Sequence, residues 1–341
     1  MTTADLINDY TKLVTDLVYK MDKPKNKRKI SINDIIAGII LIAQDGVAWR
    51  RLRPSKGKYQ IYYYYFHKWT KLGIFKSAED ILRRQYVTGT LDRGLYFKEL
   101  YSELYFKELY SDTSLIVNRL GSEGMGPNPC NRGRPGNKIA VLSDYFNAPL
   151  SIVIFPANNA DQNTIEPLFR NLGDIELTRD KRIKLVTVTD MGYTTTEDLL
   201  VAIAPYGATL LAPYRKPPTK KPKIPEPSSG QLATRNKPSK KKIPKKKKKL
   251  PRGSKARFNR RWKIEHFNAR FKQFRRLDKR YDRQSKHFNA FFHIVCGILL
   301  LESTRKSIQF STANPKTRDT VGWKSSHPST IALLDTVTNQ N

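Results

Sequence analysis

The chain has 341 residues, which is long enough for two domains or for one large domain with additions. It contains 63 Lys and Arg but only 30 Asp and Glu, and the net charge of +33 indicates a polyanionic partner, with nucleic acid as the first candidate. Apolar residues make up 39% of the sequence, which excludes disorder throughout, and two distant cysteines, Cys130 and Cys296, exclude a disulfide framework and favour a reducing compartment.

The first 94 residues have a helical pattern and are predicted to form a small all-α domain. Ser31-Ile-Asn-Asp34 has the spacing of a capping box, the apolar run Ile35–Ala43 follows it, and Asp45-Gly46 is a stop signal. Tyr59–Lys71, which is crowded with aromatic residues, predicts a second helix. A basic connection joins the two helices. This pattern is compatible with a DNA-binding helix-turn-helix-like unit and equally with a plain helical subdomain.

No membrane span is predicted. The longest apolar runs, Ile35–Ala43 and Ile294–Leu301, reach less than half of the ~20 residues that a spanning helix needs. The N-terminus has no basic stretch leading into an apolar one, so a secretory signal is not expected.

A tandem repeat precedes the second half of the pattern. Leu95–Glu103 and Leu104–Asp112 have the same nine-residue sequence except for the final acid. Two copies are too few for a solenoid, and a recent in-frame duplication explains them. The extra copy is expected either to lengthen a helix or to strain the entry to the next strand, and it places Glu103 where the second copy has Asp112.

Strands and helices alternate from about residue 109 onward, which indicates an α/β fold with a mixed sheet. Their order, β-β-β-α-β-α-β followed by two helices, matches the ribonuclease-H-like arrangement. The predicted strands are Leu115–Val117, Lys138–Tyr145, Pro149–Pro156, Ile183–Asp190 and Ala208–Pro213. The predicted helices are Asn163–Leu172, Thr196–Ala204, Asn259–Arg276 and Gln284–Leu301.

A basic insertion interrupts this α/β region. Residues 215–257 hold 18 Lys or Arg against Glu226 alone, together with eight of the 20 prolines, so the segment cannot bury enough surface to offset its ordering entropy. We therefore predict five parts: a helical domain 1–94, a first catalytic part 95–213, a disordered insertion 214–257, the closing catalytic helices 258–305, and a flexible tail 306–341. The insertion is interpreted as a nonspecific DNA tether or, in a nucleated host, a nuclear-import signal.

Three acids occupy positions suited to chemistry. Asp112 is predicted near the start of the first strand, Asp190 at the end of the fourth, and Glu265 on the helix after the insertion. Groups at strand ends of an open α/β sheet converge on the crevice that binds ligands. Converging carboxylates repel one another unless cations bridge them, and hard oxygen ligands suit Mg²⁺. Asp144 and Asp161 are nearby acids for which structural roles are favoured.

The polar and charged residues of the predicted helix that carries Glu265 also fall in a pattern. At 100° per residue, one stripe about 80° wide combines a single acid with an amide and three cations; its members are Arg261, Glu265, Asn268, Lys272 and Arg275. A metal ligand flanked by phosphate-binding cations has this appearance, and so does a solvated helix face with i,i+4 ion pairs.

Read together, these segments resemble the DDE transposases of bacterial insertion sequences, in the insertion-sequence-four/five superfamily and its five-like group. Asp190-Met-Gly-Tyr193 is similar to the Asp-x-Gly-Tyr motif, and Arg261-x3-Glu265-x6-Lys272 has the spacing of the Tyr-x2-Arg-x3-Glu-x6-Lys signature, with Phe258 in place of its Tyr. Asp112-Thr-Ser stands where the first catalytic Asp belongs. Further similar segments are Trp49–Phe75, Asn128–Lys138, Phe155–Asp161 and Phe274–Tyr281.

The resemblance implies Mg²⁺-dependent cleavage of DNA at transposon ends and strand transfer to target DNA. Asp112, Asp190 and Glu265 would be the catalytic residues and the ligands of two Mg²⁺ ions, with Mn²⁺ as a substitute, and Gly192 and Tyr193 would support the loop after Asp190. The residues expected to contact DNA are Phe258, Arg261, Asn268, Lys272, Arg275 and Arg276.

The implied partners are the terminal inverted repeats and target DNA, bound by a homodimer assembled on the DNA. The expected location is the cytoplasm or nucleoid of a prokaryote, or the nucleus if a eukaryote or its virus encodes the chain. Three alternatives stay open: a ribonuclease-H-like nuclease or integrase that cuts without joining, a domesticated or decayed DNA-binding protein without activity, and an RNA-associated basic protein.

Overall fold

The computed structural model describes residues 3–23, 28, 30–54, 56–93, 97–98, 105–178, 183–190, 192–193, 197–212 and 254–313. Nearly all of the predicted basic insertion, most of the first repeat copy, and the predicted tail beyond residue 313 lie outside these ranges. The prediction of a flexible tail is wrong for residues 306–313, because they belong to the long closing helix.

The N-terminal region is helical, as predicted. Its helices are α1 (Thr3–Met21), α2 (Ile32–Asp45), α3 (Tyr59–Lys71) and α4 (Ile74–Asp92). The predicted caps of α2 are confirmed, because the Ser31 hydroxyl accepts a hydrogen bond from the Asp34 amide and Gly46 ends the helix at φ 66°. Helices α1 and α4 had not been delimited from the sequence.

The strands of the described residues form one mixed sheet. They are β1 (Phe97–Lys98), β2 (Tyr105–Asn118), β3 (Gly126–Pro127), β4 (Pro135–Asp144), β5 (Pro149–Pro156), β6 (Lys184–Val188), β7 (Ala208–Leu211) and β8 (Lys279–Arg280). The main path runs β5–β4–β2–β6–β7, with antiparallel pairing among β5, β4 and β2 and parallel pairing among β2, β6 and β7. This order confirms the ribonuclease-H-like fold class.

Helices pack against this sheet and form the C-terminal part of the described chain. They are α5 (Ile165–Arg170), α6 (Glu197–Ile203), α7 (Ser254–Asn259), α8 (Trp262–Lys272), α9 (Arg275–Asp278) and α10 (Ser285–Ala313). The single helix predicted for Asn259–Arg276 is therefore wrong. Three helices replace it, and the first begins inside the predicted insertion. Arg261 becomes the N-cap of α8, while Arg275 begins α9.

Strand β2 is much longer than the predicted Leu115–Val117, and Asp112 lies within it and not at its start. The sequence hides this strand because Lys107 and Glu108 are charged, yet both side chains are buried near its beginning. Arg260 donates to the Glu108 carboxylate through Nε at 2.8 Å. The Lys107 ammonium donates to the Leu177 carbonyl at 3.4 Å. Burial of charge is possible here because each charge has a partner.

The repeat is accommodated within the sheet. The second copy forms the first part of β2, and Phe97–Lys98 of the first copy pairs with it in an antiparallel register, Phe97 against Phe106 and Lys98 against Tyr105. The expectation of a lengthened helix is therefore wrong, because α4 ends at Asp92 and the described part of the first copy is strand.

One hydrophobic cluster joins the N-terminal helices to the sheet. Helix α10 lies among them, with Phe288 and Phe291 fully buried, and Phe66 of α3 stacks on Phe291 at 4.7 Å. From α4, Tyr86 bonds to Asp144 of β4 and Arg83 donates to the Leu150 carbonyl of β5 at 3.1 Å. In the described residues, Ser285–Ala313 is a helix long and apolar enough to cross a membrane, but 72% of its apolar window is buried inside the protein.

Candidate active site

The register of two parallel strands brings Asp112 and Asp190 together. Strands β2 and β6 pair from Phe106 with Lys184 up to Tyr110 with Val188. Extended two residues beyond its last pair, this register would set Asp112 opposite Asp190, and the Asp190 carboxylate is near enough for its charge to act on Asp112. Pairing with β6 has ended there, while β2 continues against β4, so the carboxylates lie where the strands part. This is the kind of crevice that binds ligands in open α/β sheets.

The Asp112 carboxylate is half-buried and only partly compensated. Its Oδ1 accepts a hydrogen bond from the Thr113 amide at 2.8 Å, and its Oδ2 accepts one from Asn268 Nδ2 at 3.2 Å. Burial raises the pKa of Asp112 to about 6, the neighbouring charges of Asp190 and Asp161 act in the same direction, and the Thr113 hydrogen bond and Arg261 oppose the rise. The carboxylate is therefore held in a strand position that disfavours its charged form.

Asp190 begins a tight loop that follows β6. Its Oδ1 accepts a hydrogen bond from the Gly192 amide at 2.7 Å, and its carbonyl accepts one from the Tyr193 amide at 3.4 Å. Tyr193 is 1% exposed, and burial raises the pKa of its hydroxyl. These hydrogen bonds fold the short turn after Asp190 back onto its carboxylate. The buried Tyr193 ring anchors the end of the turn.

Glu265 lies on α8, which crosses over β2, but its side chain does not join the two aspartates. It is 57% exposed and accepts a hydrogen bond from the Arg261 guanidinium at 2.5 Å, the i,i+4 ion pair that the helical pattern allows. In the part of the chain that the structure describes, no three His, Cys, Asp or Glu side chains form a group that could hold a metal ion. Asn268, one turn along α8, is the residue of this helix that reaches Asp112.

The residues predicted to contact DNA differ in their exposure. Arg275 is exposed, Lys272 is partly exposed, and Phe258 is partly buried against the core. Arg276 is 4% exposed, and its guanidinium is paired with Asp282 at 2.7 Å. The structure gives Arg276 a packing role in place of the predicted DNA contact, because its hydrogen-bonding face is turned into the protein.

Two other polar groups bear on the site: Asp161, which the sequence marked as a nearby acid with a structural role favoured, and Glu108, which sequence reasoning missed. Asp161 lies beside Thr113 and Gly192, the residues that adjoin the two aspartates. Glu108, on the same face of β2 as Asp112, binds Arg260 in the turn that precedes α8. Side chains alternate between the two faces of a strand, so residues 108 and 112 lie on the same face. This relation would have been predicted if β2 had been recognised at its full length.

A divalent metal fits the chemistry of the two aspartates. Both present carboxylate oxygens, which suit hard cations, and the raised pKa of Asp112 shows that its negative charge lacks full compensation in the protein alone. Glu265 fits by residue type, but its exposed carboxylate is paired with Arg261 in the arrangement described.

The sheet order is that of a ribonuclease-H-like domain. A family model described as the transposase DDE domain matches residues 118–301, which is more than half of the chain. The chain therefore belongs to the transposase DDE domain family. The match contains Asp190 and Glu265 and begins after Asp112; the five-like group stays a prediction. No curated protein matches the chain.

Family membership supports a role as a transposase in DNA transposition and recombination. It implies DNA as a partner and divalent metal ions as the usual cofactor of the family. The family is generally one of soluble, DNA-acting proteins.

Proposed function

We propose that this protein cleaves DNA at transposon ends and transfers the resulting 3′-hydroxyl to target DNA, with Asp112, Asp190 and Glu265 as the catalytic carboxylates. The observation that supports the proposal is the parallel pairing of β2 with β6, because Asp112 and Asp190 each follow the last residue pair of this register by two positions. Helix α8, which bears Glu265, touches the same place through the Asn268–Asp112 hydrogen bond.

Divalent metal ions, Mg²⁺ or Mn²⁺, would be held by Asp112 and Asp190, and by Glu265 once it leaves Arg261. Bound there, they would lower the pKa of a nucleophilic water or hydroxyl and stabilise charge on the phosphate. The protein's own residues supply positioning. Thr113 and Asn268 orient the Asp112 carboxylate, and the Gly192 amide orients that of Asp190.

The cations of α8 and α9 would hold the DNA backbone near these carboxylates. Arg275 is exposed for this contact, and Lys272 is partly so. Arg261 would exchange Glu265 for a DNA phosphate, which also offers a bidentate acceptor to its guanidinium. Loss of this ion pair on DNA binding would free Glu265 for the site, so the substrate itself would help to assemble the catalytic carboxylates. A homodimer pairing two ends remains part of the proposal.

The experiment is cleavage and joining of DNA that carries the inverted repeats bordering the gene. Wild type with Mg²⁺ is expected to release 3′-hydroxyl ends and to insert them into a plasmid, and Asp190→Asn is expected to bind the same DNA without cutting it. Asp174→Asn is the matched control, because Asp174 is an exposed aspartate paired with Arg84 on another part of the surface. Cutting without joining would support the nuclease alternative.

A second candidate, a binding protein without activity, is favoured by one observation. Among the described residues, Glu265 is engaged by Arg261 and no three carboxylates meet. Wild type that binds the end DNA but never cuts it, in Mg²⁺ or in Mn²⁺, would establish this candidate and refute the catalytic proposal.

A further inference from the structure

Asp161 links the two strands that carry the catalytic aspartates. It begins the 3-10 turn Asp161–Thr164 that follows β5. Its Oδ1 accepts a hydrogen bond from the Thr113 hydroxyl at 2.8 Å, and Thr113 is the next residue after Asp112 on β2. The contact therefore restrains the part of β2 that presents Asp112.

The other oxygen of Asp161 lies against the loop of the second aspartate. A Cβ placed on Gly192 would be 2.9 Å from Asp161 Oδ2 and 3.0 Å from Asp190 Oδ1. The two carboxylate oxygens are thus no farther apart than the sum of these distances, and Gly192 lies beside both of them. A side chain at position 192 would force at least one of these oxygens to shift, so the glycine of Asp190-Met-Gly-Tyr193 allows the close approach of the two carboxylates.

The charge of Asp161 is balanced by a lysine from a third strand. Lys138 of β4 donates to Asp161 Oδ1 at 2.7 Å and to the Asn159 carbonyl at 2.5 Å. The side chains of Lys138 and Asp161 are 11% and 30% exposed, so the pair is largely shielded from water. A charge-assisted hydrogen bond in such surroundings holds its geometry well.

We propose that Asp161 is a positioning residue that clamps the Asp112 strand to the Asp190 loop, through Thr113 on one side and Gly192 on the other. This inference deepens the proposed function and rests on it. Asp161 does so through hydrogen bonding and shape, with Lys138 neutralising its charge, and it is not itself a metal ligand. Without the Asp161 side chain, the strands that carry the two catalytic carboxylates still form, but the distance between the carboxylates is no longer fixed.

The test compares Asp161→Ala with Asp161→Asn in the full chain. Alanine removes both contacts, whereas the asparagine carbonyl still accepts from Thr113 and keeps nearly the same shape beside Gly192. Gly192→Ala perturbs the same contact from the opposite side, and Asp174→Ala is the control. The first readout is Mn²⁺ affinity followed by electron paramagnetic resonance, which does not need catalysis, with the melting temperature measured alongside.

Asp161→Ala and Gly192→Ala are expected to weaken Mn²⁺ binding by about 10-fold, as loss of residues that orient metal ligands commonly does, while Asp161→Asn stays within about threefold of wild type. In the cleavage assay, Asp161→Ala is expected to lower kcat by about 100-fold at unchanged KM for DNA, the cost of misplacing reacting groups by about 1 Å. A merely structural defect would instead lower the melting temperature and affect kcat and KM together.

Two results would overturn the clamp. If Asp161→Asn weakens Mn²⁺ binding as much as Asp161→Ala, then the charge of Asp161, and not its hydrogen bond and shape, supports the metal site. If Asp161→Ala binds Mn²⁺ like wild type, the residue positions nothing. Failure of the proposed function can be distinguished from failure of the clamp. A wild type that binds Mn²⁺ but cuts no DNA refutes the proposed reaction, and the Mn²⁺ affinities of the variants still decide the role of Asp161.

Discussion

Replacement of Asp112 by Asn should stabilise the folded protein at neutral pH when no divalent metal is present. The folded-state pKa of Asp112 is raised from 3.8 to about 6. Between these two pH values the folded state binds more protons than the unfolded state, so the contribution of this group to stability falls as pH rises through the window and stays low above it. Asn carries no such penalty, because it is neutral at every pH.

The magnitude follows from the size of the shift. About two pKa units correspond to about 3 kcal/mol, and the solvent that reaches this half-buried carboxyl reduces the figure to about 2 kcal/mol. For a protein of this size the change is about 3 °C in melting temperature. The Thr113 amide keeps an acceptor in the variant, since the Asn carbonyl replaces Oδ1.

The assay is thermal unfolding of wild type and Asp112→Asn in EDTA at pH 4 and pH 8. The two proteins should melt together at pH 4 and separate at pH 8, with the variant higher. Asp174→Asn is the control: its partner Arg84 lowers the pKa of this exposed carboxyl, so no stabilisation is expected. Added Mg²⁺ should raise the melting temperature of wild type more than that of Asp112→Asn. An equal difference at both pH values, or none at pH 8, would refute an ionisation penalty at Asp112.

Three further predictions concern the surroundings of the site. Glu108→Gln should lower the free energy of unfolding by about 3 kcal/mol, measured by urea unfolding, because it leaves Arg260 beside a buried and uncharged partner; an unchanged midpoint would contradict this. Deletion of residues 95–103 should leave the melting temperature within about 4 °C of wild type, since pairing with β4 and β6 sets the register of β2; loss of folding would show that the first copy is needed. Arg275→Met should weaken DNA binding in a gel-shift titration and reduce its salt dependence with stability unchanged, whereas Arg276→Met should mainly lower stability; the reverse pattern would contradict the assigned exposures.

The sequence predicted much of the fold because its signals are local. The Ser31 cap, the Gly46 stop and the extent of α3 depend on neighbouring residues, and all three are as predicted. The strand β5 was also placed at its observed bounds, since its apolar run lies between prolines. The order of strands and helices was enough for the fold class, because few topologies accommodate a hairpin followed by alternating units.

Strand β2 shows where local signals fail. Its first half carries Lys107 and Glu108, which suggest a solvated segment. Their burial is made possible by Arg260, which lies far away in sequence and follows the basic insertion, and by the carbonyl of Leu177. The broken helix around Arg261 is a similar case, since α8 and α9 follow the surfaces on which they pack.

The sequence by itself determined which residues are chemically equipped for the site: Asp112, Asp190, Glu265 and the cations that accompany Glu265 on α8. Only the tertiary structure decided the relative positions of these side chains. The pairing of β2 with β6 puts the aspartates just beyond the end of the same register, Glu265 is paired with Arg261, and Asp161 accepts a hydrogen bond from Thr113 beside Asp112. The physical reason is that residue type and periodicity are carried by short stretches of chain, whereas distances between side chains remote in sequence depend on the packing of the whole sheet.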